Sequence, residues 1–210
     1  MNASDRAAAW ELLCEWTGSD SLRKHALAVE ASMRAYARIW GEDEEKYAIT
    51  GLVHDLDYER FPDPETGHPR IGLEELRKRG YPDDVIEAVA GHADYLDVPR
   101  TTRLAKTLYA VDELSGFVTA CALVRPTGIE GLKPKSVRKK LKQPSFAAKV
   151  DREQISRGID ELGVDEAEHI TVVIGALADR AEELGLTAAQ VEAGCPCAAR
   201  SRPSSPSSSS

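Results

Sequence analysis

The sequence predicts an all-α protein, on three observations. Apolar residues recur at helical spacing along most of the chain, as in Leu22, Ala26, Val29, Met33 and Tyr36. Helix start and stop signals, chiefly glycine, proline and short polar caps, stand between these stretches. No run shows the alternation of a strand. The chain has 210 residues, 42% of them hydrophobic, which is enough for one domain with a real core.

The elements follow in order. A first helix is expected over about residues 4–16. Asp20 or Ser21 caps a second, which stops at Gly41. A third runs from near Glu42 to His54-Asp55, and the polar, proline-containing stretch Leu56 to Gly67 is a loop. A helix from about Pro69 to Arg79 ends at Gly80. Pro82, Asp83 and Asp84 open the next, as helix N-termini prefer. A long helix covers about residues 101–121. Arg125 to Phe146 reads as a loop with a short basic helix inside, and two further helices cover about 151–162 and 165–185. From about 187 the apolar pattern fades, and the Ser- and Pro-rich end reads as disordered. The division is an N-terminal helix (1–19), a helical core (20–122), a C-terminal helical extension (123–186) and a tail (187–210).

Charged residues make up 30% and the formal net charge is -8. That balance argues against a general nucleic-acid binder, whose affinity comes from neutralising phosphates. No apolar stretch approaches the roughly 20 residues of a membrane span, and the start lacks the pattern of a secretory signal, so the expected location is cytoplasmic. Cys14 and Cys121 lie alone in helical stretches and read as buried thiols, and Cys195 and Cys197 as incidental features of the tail.

Chemistry concentrates in a few polar groups set in or beside apolar helical stretches: His25, His54-Asp55, His68, His92 and Asp112. Unpaired imidazoles and carboxylates there would be costly, and a shared metal ion offsets the cost. Neighbours on a regular helix point about 100° apart, so His54 and Asp55 reach one ion only if the helix ends there. Around Asp112 the same-face neighbours Ser115, Gly116 and Thr119 are small and leave room for metal and substrate. Imidazole and carboxylate ligands suit Mn, Fe, Co, Ni or Zn, with Mg where carboxylate and water dominate. His169 has no partner motif and reads as an ordinary surface or core histidine.

The order of these residues resembles the HD-domain superfamily of metal-dependent phosphohydrolases over roughly residues 20–120. The resemblance implies a helical HD-type bundle in which His25, His54, Asp55 and Asp112 hold one divalent metal. In dinuclear members Asp55 would bridge to a second, held by His68 and His92, so one or two ions per chain are expected. Many members read His-Asp-Ile-Gly-Lys where this chain has His54-Asp55-Leu56-Asp57-Tyr58, and many have His-His where it has His92-Ala93.

The function expected is metal-dependent hydrolysis of a small phosphate ester or nucleotide, with Asp55 orienting the attacking hydroxide and His68, His92 or a loop acid available to the leaving group. Arg70, Lys135, Arg138 and Lys139 are the candidate substrate contacts, the last three within a basic segment, Lys133 to Lys142, that reads either as a solvated face or as a phosphate-facing lid. Arg60 is a lesser phosphate contact, and Asp57 and Glu59 are candidates to support the ligands or move protons. Two alternatives share the ligand set: a di-iron oxygenase of the same superfamily, and a nucleotide-binding sensor without turnover. The sequence names neither the substrate nor the oligomeric state.

Overall fold

The computed structural model describes residues 5–194, and all its helical and strand assignments among them are helical. Asp5 opens α1 (Arg6–Trp16), Ser19 opens α2 (Asp20–Trp40) and Asp43 opens α3 (Glu44–Val53). Each side chain accepts from amides that have no partner inside the helix. After a loop come α4 (Arg70–Lys78), α5 (Asp83–Gly91) and a short 3-10 turn, Asp94–Leu96. The long α6 (Arg103–Leu123) starts on Thr102. Beyond it lie α7 (Pro134–Leu141), α8 (Arg152–Leu162), α9 (Glu166–Asp179), α10 (Ala181–Leu184) and α11 (Ala188–Gly194).

Four details differ from the sequence reading. The cap of α2 is Ser19, with Asp20 as the first helical residue. Pro82 stands just before α5 and not in its first turn. The expected helix over 165–185 is broken at Arg180, whose guanidinium turns to Glu30 at 2.9 Å. The expected tail is helical over 188–194, because Thr187 and Gln190 cap one another: Gln190 N donates to Thr187 Oγ1, and Thr187 N donates to Gln190 Oε1. The rest of that tail, with Cys195 and Cys197, lies outside the described residues. Cys121 is buried as expected, whereas Cys14 is half-buried.

The two long helices form the centre. α2 packs on α3, α6 and α9, and α6 packs also on α5 and α8. At Gly51 a Cβ would stand 2.9 Å from the Cα of Glu30, so only glycine lets α3 lie this close to α2. Glu30 itself is fully buried. It accepts from Arg6 at 2.7 and 2.8 Å, Arg180 at 2.9 Å and Arg34 at 3.2 Å, which ties α1 and the end of α9 to α2. Burial opposes its charge, yet Arg6 and Arg180 hold its carboxyl below the usual range.

His169 is a satisfied core histidine. It is fully buried, the Tyr36 hydroxyl donates to its Nδ1, and its Nε2–H donates to the Ala110 carbonyl at 3.0 Å. It borders an apolar cavity of ≈ 550 Å³ shared with Trp40 and Val172. Burial pushes its pKa down to about 4. The unfolded chain therefore takes up this proton first, near the ordinary value of about 6.5. The stability it contributes is present above about 6.5 and lost progressively as pH falls towards about 4. Denaturant titrations of chelator-treated protein should show the wild type losing about 2 kcal/mol more than His169→Gln between about pH 7.5 and pH 5. Equal losses would mean that His169 does not titrate in this way.

Candidate metal centre

Two long helices, two helix ends and the segment between α3 and α4 bring six side chains to one place: His25 lies within α2, Asp112 within α6, His54 and His92 at the ends of α3 and α5, and Asp55 and His68 between α3 and α4. α3 ends at Val53, and the turn that follows lets His54 and Asp55 face the same centre. Asp55 stands in the middle. Its Oδ2 lies 3.8 Å from His25 Nε2 and 3.5 Å from His54 Nε2. Its Oδ1 lies 3.4 Å from His68 Nε2 and 3.5 Å from His92 Nε2. Asp112, on the facing side of α6, places Oδ1 at 3.0 Å from His25 Nε2 and 3.3 Å from His54 Nε2. The groups form two sets with spacing suited to a cation, one of His25, His54 and Asp55 and one of Asp55, His68 and His92.

The surrounding hydrogen bonds fix which nitrogen points inwards. The Nδ1–H of His54 donates to the Gly51 carbonyl at 2.8 Å, that of His92 to the Val89 carbonyl, and that of His68 to Asp57 Oδ1 at 2.7 Å. Each Nε2 is then the nitrogen that faces the centre and is free to take a cation or a proton. His68 Nε2 and His92 Nε2 stand 3.2 Å apart, two lone pairs that repel unless a cation or a proton lies between them. His54 Nε2 is buried and has no hydrogen-bond partner. A buried polar atom without a partner is costly, and a metal ion satisfies it. The donor set therefore fits one or two divalent ions.

Burial works against charge on Asp55, Asp112 and His54, but their mutual attraction outweighs it. His54 holds both carboxyls well below the usual range, helped by His92 at Asp55 and by His25 at Asp112, and the two carboxylates hold His54 well above the usual histidine value. A bound dication would reinforce the carboxylates and replace the proton on His54.

Asp57 is the support that sequence reasoning only flagged. It is fully buried, and its second oxygen accepts the Gly72 amide at 2.6 Å. A Cβ on Gly72 would stand 3.1–3.3 Å from that carboxylate, so glycine permits the approach. Glu59, flagged beside it, instead accepts the Gly18 and Ser19 amides at the entry to α2. Arg60 donates to the Glu15 carbonyl and lies over the Trp16 ring. His68 is buried.

The cluster opens into a cleft of ≈ 610 Å³. Exposed Tyr58 and Tyr95 line it, and both touch His68: the Tyr58 ring meets the imidazole edge-on, and the Tyr95 hydroxyl donates to the His68 carbonyl at 2.9 Å. Glu113, Asp151 and Gln154 also line it. Burial, with Asp112 beside it, pushes the Glu113 carboxyl up to about 7. Among the described residues no lysine or arginine lines it. Arg70 stays outside them, donating to the Pro64 carbonyl and lying 6.0 Å over the Tyr95 ring. Lys135, Arg138 and Lys139 sit on α7 and do not line the cleft; Arg138 pairs with Glu166 at 2.7 Å. Thus the six expected ligands meet, and the four expected substrate contacts do not join them. The tyrosines, Glu113 and Gln154 were missed because their exposure to this cleft depends on packing that no local pattern records.

Residues 22–116 match the family model described as HD domain. The curated relatives include ribonuclease Y of Oleidesulfovibrio alaskensis, 34% identical over 98 residues, which are 47% of this chain and 18% of that protein. Ribonuclease Y of Lactobacillus gasseri is 34% identical over 91 residues, 43% of this chain and 16% of the relative. Ribonuclease Y 2 of Levilactobacillus brevis is 35% identical over 92 residues, 44% and 17% of the two chains. The chain thus spans less than a fifth of the length of these relatives. No solved structure matches it.

If Asp57 fixes the His68 tautomer, Asp57→Asn should weaken manganese binding by about 10- to 100-fold at one of two sites. The reason is that an amide cannot accept from both the imidazole and the Gly72 amide. Calorimetric titration of metal-free protein reads this directly. Unaltered affinity at both sites would remove Asp57 from that role.

Proposed function

Residues 22–116 belong to the HD superfamily of metal-dependent phosphohydrolases, and on that premise we propose that the protein hydrolyses a phosphate ester of about nucleotide size. The observation that carries this is Asp55, whose two oxygens each face a different pair of histidines. In this reading His25, His54, Asp112 and Asp55 would hold one ion. Asp55, with His68 and His92, would hold a second. Ions bound there supply Lewis acidity towards the phosphoryl group and lower the pKa of a water.

The chain's own residues do the rest. Asp55 lies between the two sets and orients the attacking oxygen in line with phosphorus. His68 and His92 commit Nδ1 to Asp57 and to the Val89 carbonyl. As ligands they therefore have no proton left for the leaving group, contrary to the role the sequence suggested for them. The cleft volume, ≈ 610 Å³, lies within the usual range for small-molecule sites of about 300–1,000 Å³.

The relatives are ribonucleases Y by name, so a phosphodiester of RNA joins the candidate substrates, although the net charge of -8 argues against general nucleic-acid binding. No helix among the described residues is long and apolar enough to cross a membrane, and a cytoplasmic location remains part of the proposal. Iron-dependent consumption of O₂ would move the protein to the oxygenase reading.

Asp55→Ala and Asp112→Ala should each abolish turnover and bound metal while the far-UV circular dichroism stays helical. Near-normal activity of Asp55→Ala on a phosphate ester found by screening would overturn the assignment. His68→Ala or His92→Ala should lower metal content from about two ions per chain to about one. Unchanged content in both would mean a mononuclear centre with these histidines as substrate contacts.

A further inference from the structure

Among the described residues no lysine or arginine lines the cleft, yet the chain's densest run of positive charge leads directly into Val150 and Asp151, which do. From Lys133 to Lys149 there are seven cations and no acid, in a chain of net charge -8. The part nearest the cleft is a built loop. Arg152, at the start of α8, donates to the carbonyls of Leu141 at 3.1 Å, Gln143 at 3.1 Å, Ala147 at 3.4 Å and Val150 at 2.9 Å, and to that of Phe146. Ala147 is held at φ 45°, a left-handed conformation that side chains with a Cβ rarely adopt. Such conformations persist only where the surroundings enforce them, and they gather at functional sites.

The loop is fastened to the cleft. Phe146 packs edge-on against Phe117 of α6 with ring centroids 5.6 Å apart, and Arg152 lies 5.5 Å over the Phe117 ring. Phe117 follows Gly116, which lines the cleft, and the loop runs into Val150 and Asp151, which line it as well. The Asp151 amide donates to Glu113 at 3.2 Å. Lys149 is therefore one residue from the cleft wall, and Lys142 stands at the other end of the Arg152-held loop; both are exposed. Neighbouring cations are otherwise engaged: Arg138 pairs with Glu166, and Lys140 Nζ lies 3.9 Å over the Phe146 ring.

We propose that this loop is a second anion subsite, in which Lys142 and Lys149 take a phosphoryl group of the substrate other than the one at the metal centre. The inference rests on the phosphohydrolase reading and adds to it the substrate class, an organic molecule with at least two phosphoryl groups. Arg152 acts as a positioning residue. The second group has two sources, a small bisphosphate or the next phosphate of a nucleic-acid strand.

The test is equilibrium binding to the manganese-loaded full chain at low salt. The probes are adenosine 5′-monophosphate, adenosine 3′,5′-bisphosphate and a 5′-phosphorylated tetranucleotide. The bisphosphate should bind about tenfold more tightly than the monophosphate. The gap should shrink to within about twofold in Lys142→Gln/Lys149→Gln and persist in Lys135→Gln/Lys139→Gln. Arg152→Lys should also narrow it with manganese content unchanged, because an ammonium has three donors and cannot hold five carbonyls. A tetranucleotide bound more tightly than the bisphosphate points to a strand as the source, and equal binding to the small molecule. Equal binding of mono- and bisphosphate by the wild type, or a gap that survives Lys142→Gln/Lys149→Gln, overturns the proposal. A gap that behaves as described, with none of the probes hydrolysed under any metal, would count against the phosphohydrolase reading and leave the subsite standing.

Discussion

The carboxylate of Asp55 is the group around which the rest of the molecule is arranged. Its two oxygens face four imidazole nitrogens, three of which are aimed by hydrogen bonds on the far side of the ring. Two of these bonds use one device. His54 follows α3 and His92 follows α5, and each donates Nδ1–H to a carbonyl three residues back, Gly51 and Val89. The last carbonyls of a helix have no amide partner within it, so one bond satisfies the helix end and aims the ligand nitrogen. The same helix ends carry the negative pole of the dipole, which favours a cation. Fold and site are coupled at these two points: lengthening either helix by a turn would remove both the cap and the ligand.

That coupling explains what could be read from the sequence. A His-Asp pair that closes an apolar run and precedes a proline-containing loop makes sense only if the helix stops there, and α3 stops at Val53. His25 and Asp112 are legible because polar groups inside apolar stretches require a partner. Asp57 is harder, since a loop acid two residues after the pair is usually solvated. Its role depends on Gly72, which comes close only after α4 has packed. The contribution of Arg152 was not legible at all. Its partners are backbone carbonyls, which leave no trace in the pattern of side chains. The short helix over 188–194 escaped the sequence reading: the apolar pattern fades there, and the reciprocal cap of Thr187 and Gln190 is its one local signal.

Net charge misleads here because charge is segregated along the chain. The value of -8 sums a carboxylate-lined cleft and a stretch of seven cations without an acid. Exposed charges interact over roughly a Debye length, about 8–10 Å at physiological salt. An approaching anion therefore responds to the nearest face and only weakly to the sum. Inside the cleft the ligand carboxylates and Glu113 would repel a phosphate, and bound cations reverse that sign. An anion would therefore be attracted to the cleft only with cations bound at the centre, which makes metal content the first variable to control in any substrate screen.

The match to known proteins covers residues 22–116, which include all six candidate ligands. It omits Val150, Asp151 and Gln154, which complete the cleft, and it omits α7, α8 and α9. The matched segment supplies the candidate ligands and most of the cleft, Tyr58 and Tyr95 included. The segment beyond it adds one side, Val150, Asp151 and Gln154, and the cationic loop that leads into that side. Relatives that share only the first segment share the grounds for phosphoryl chemistry, and their substrates do not transfer with it. The contacts between α6 and the start of α8, where the Asp151 amide donates to Glu113, are where the cleft gains its far wall.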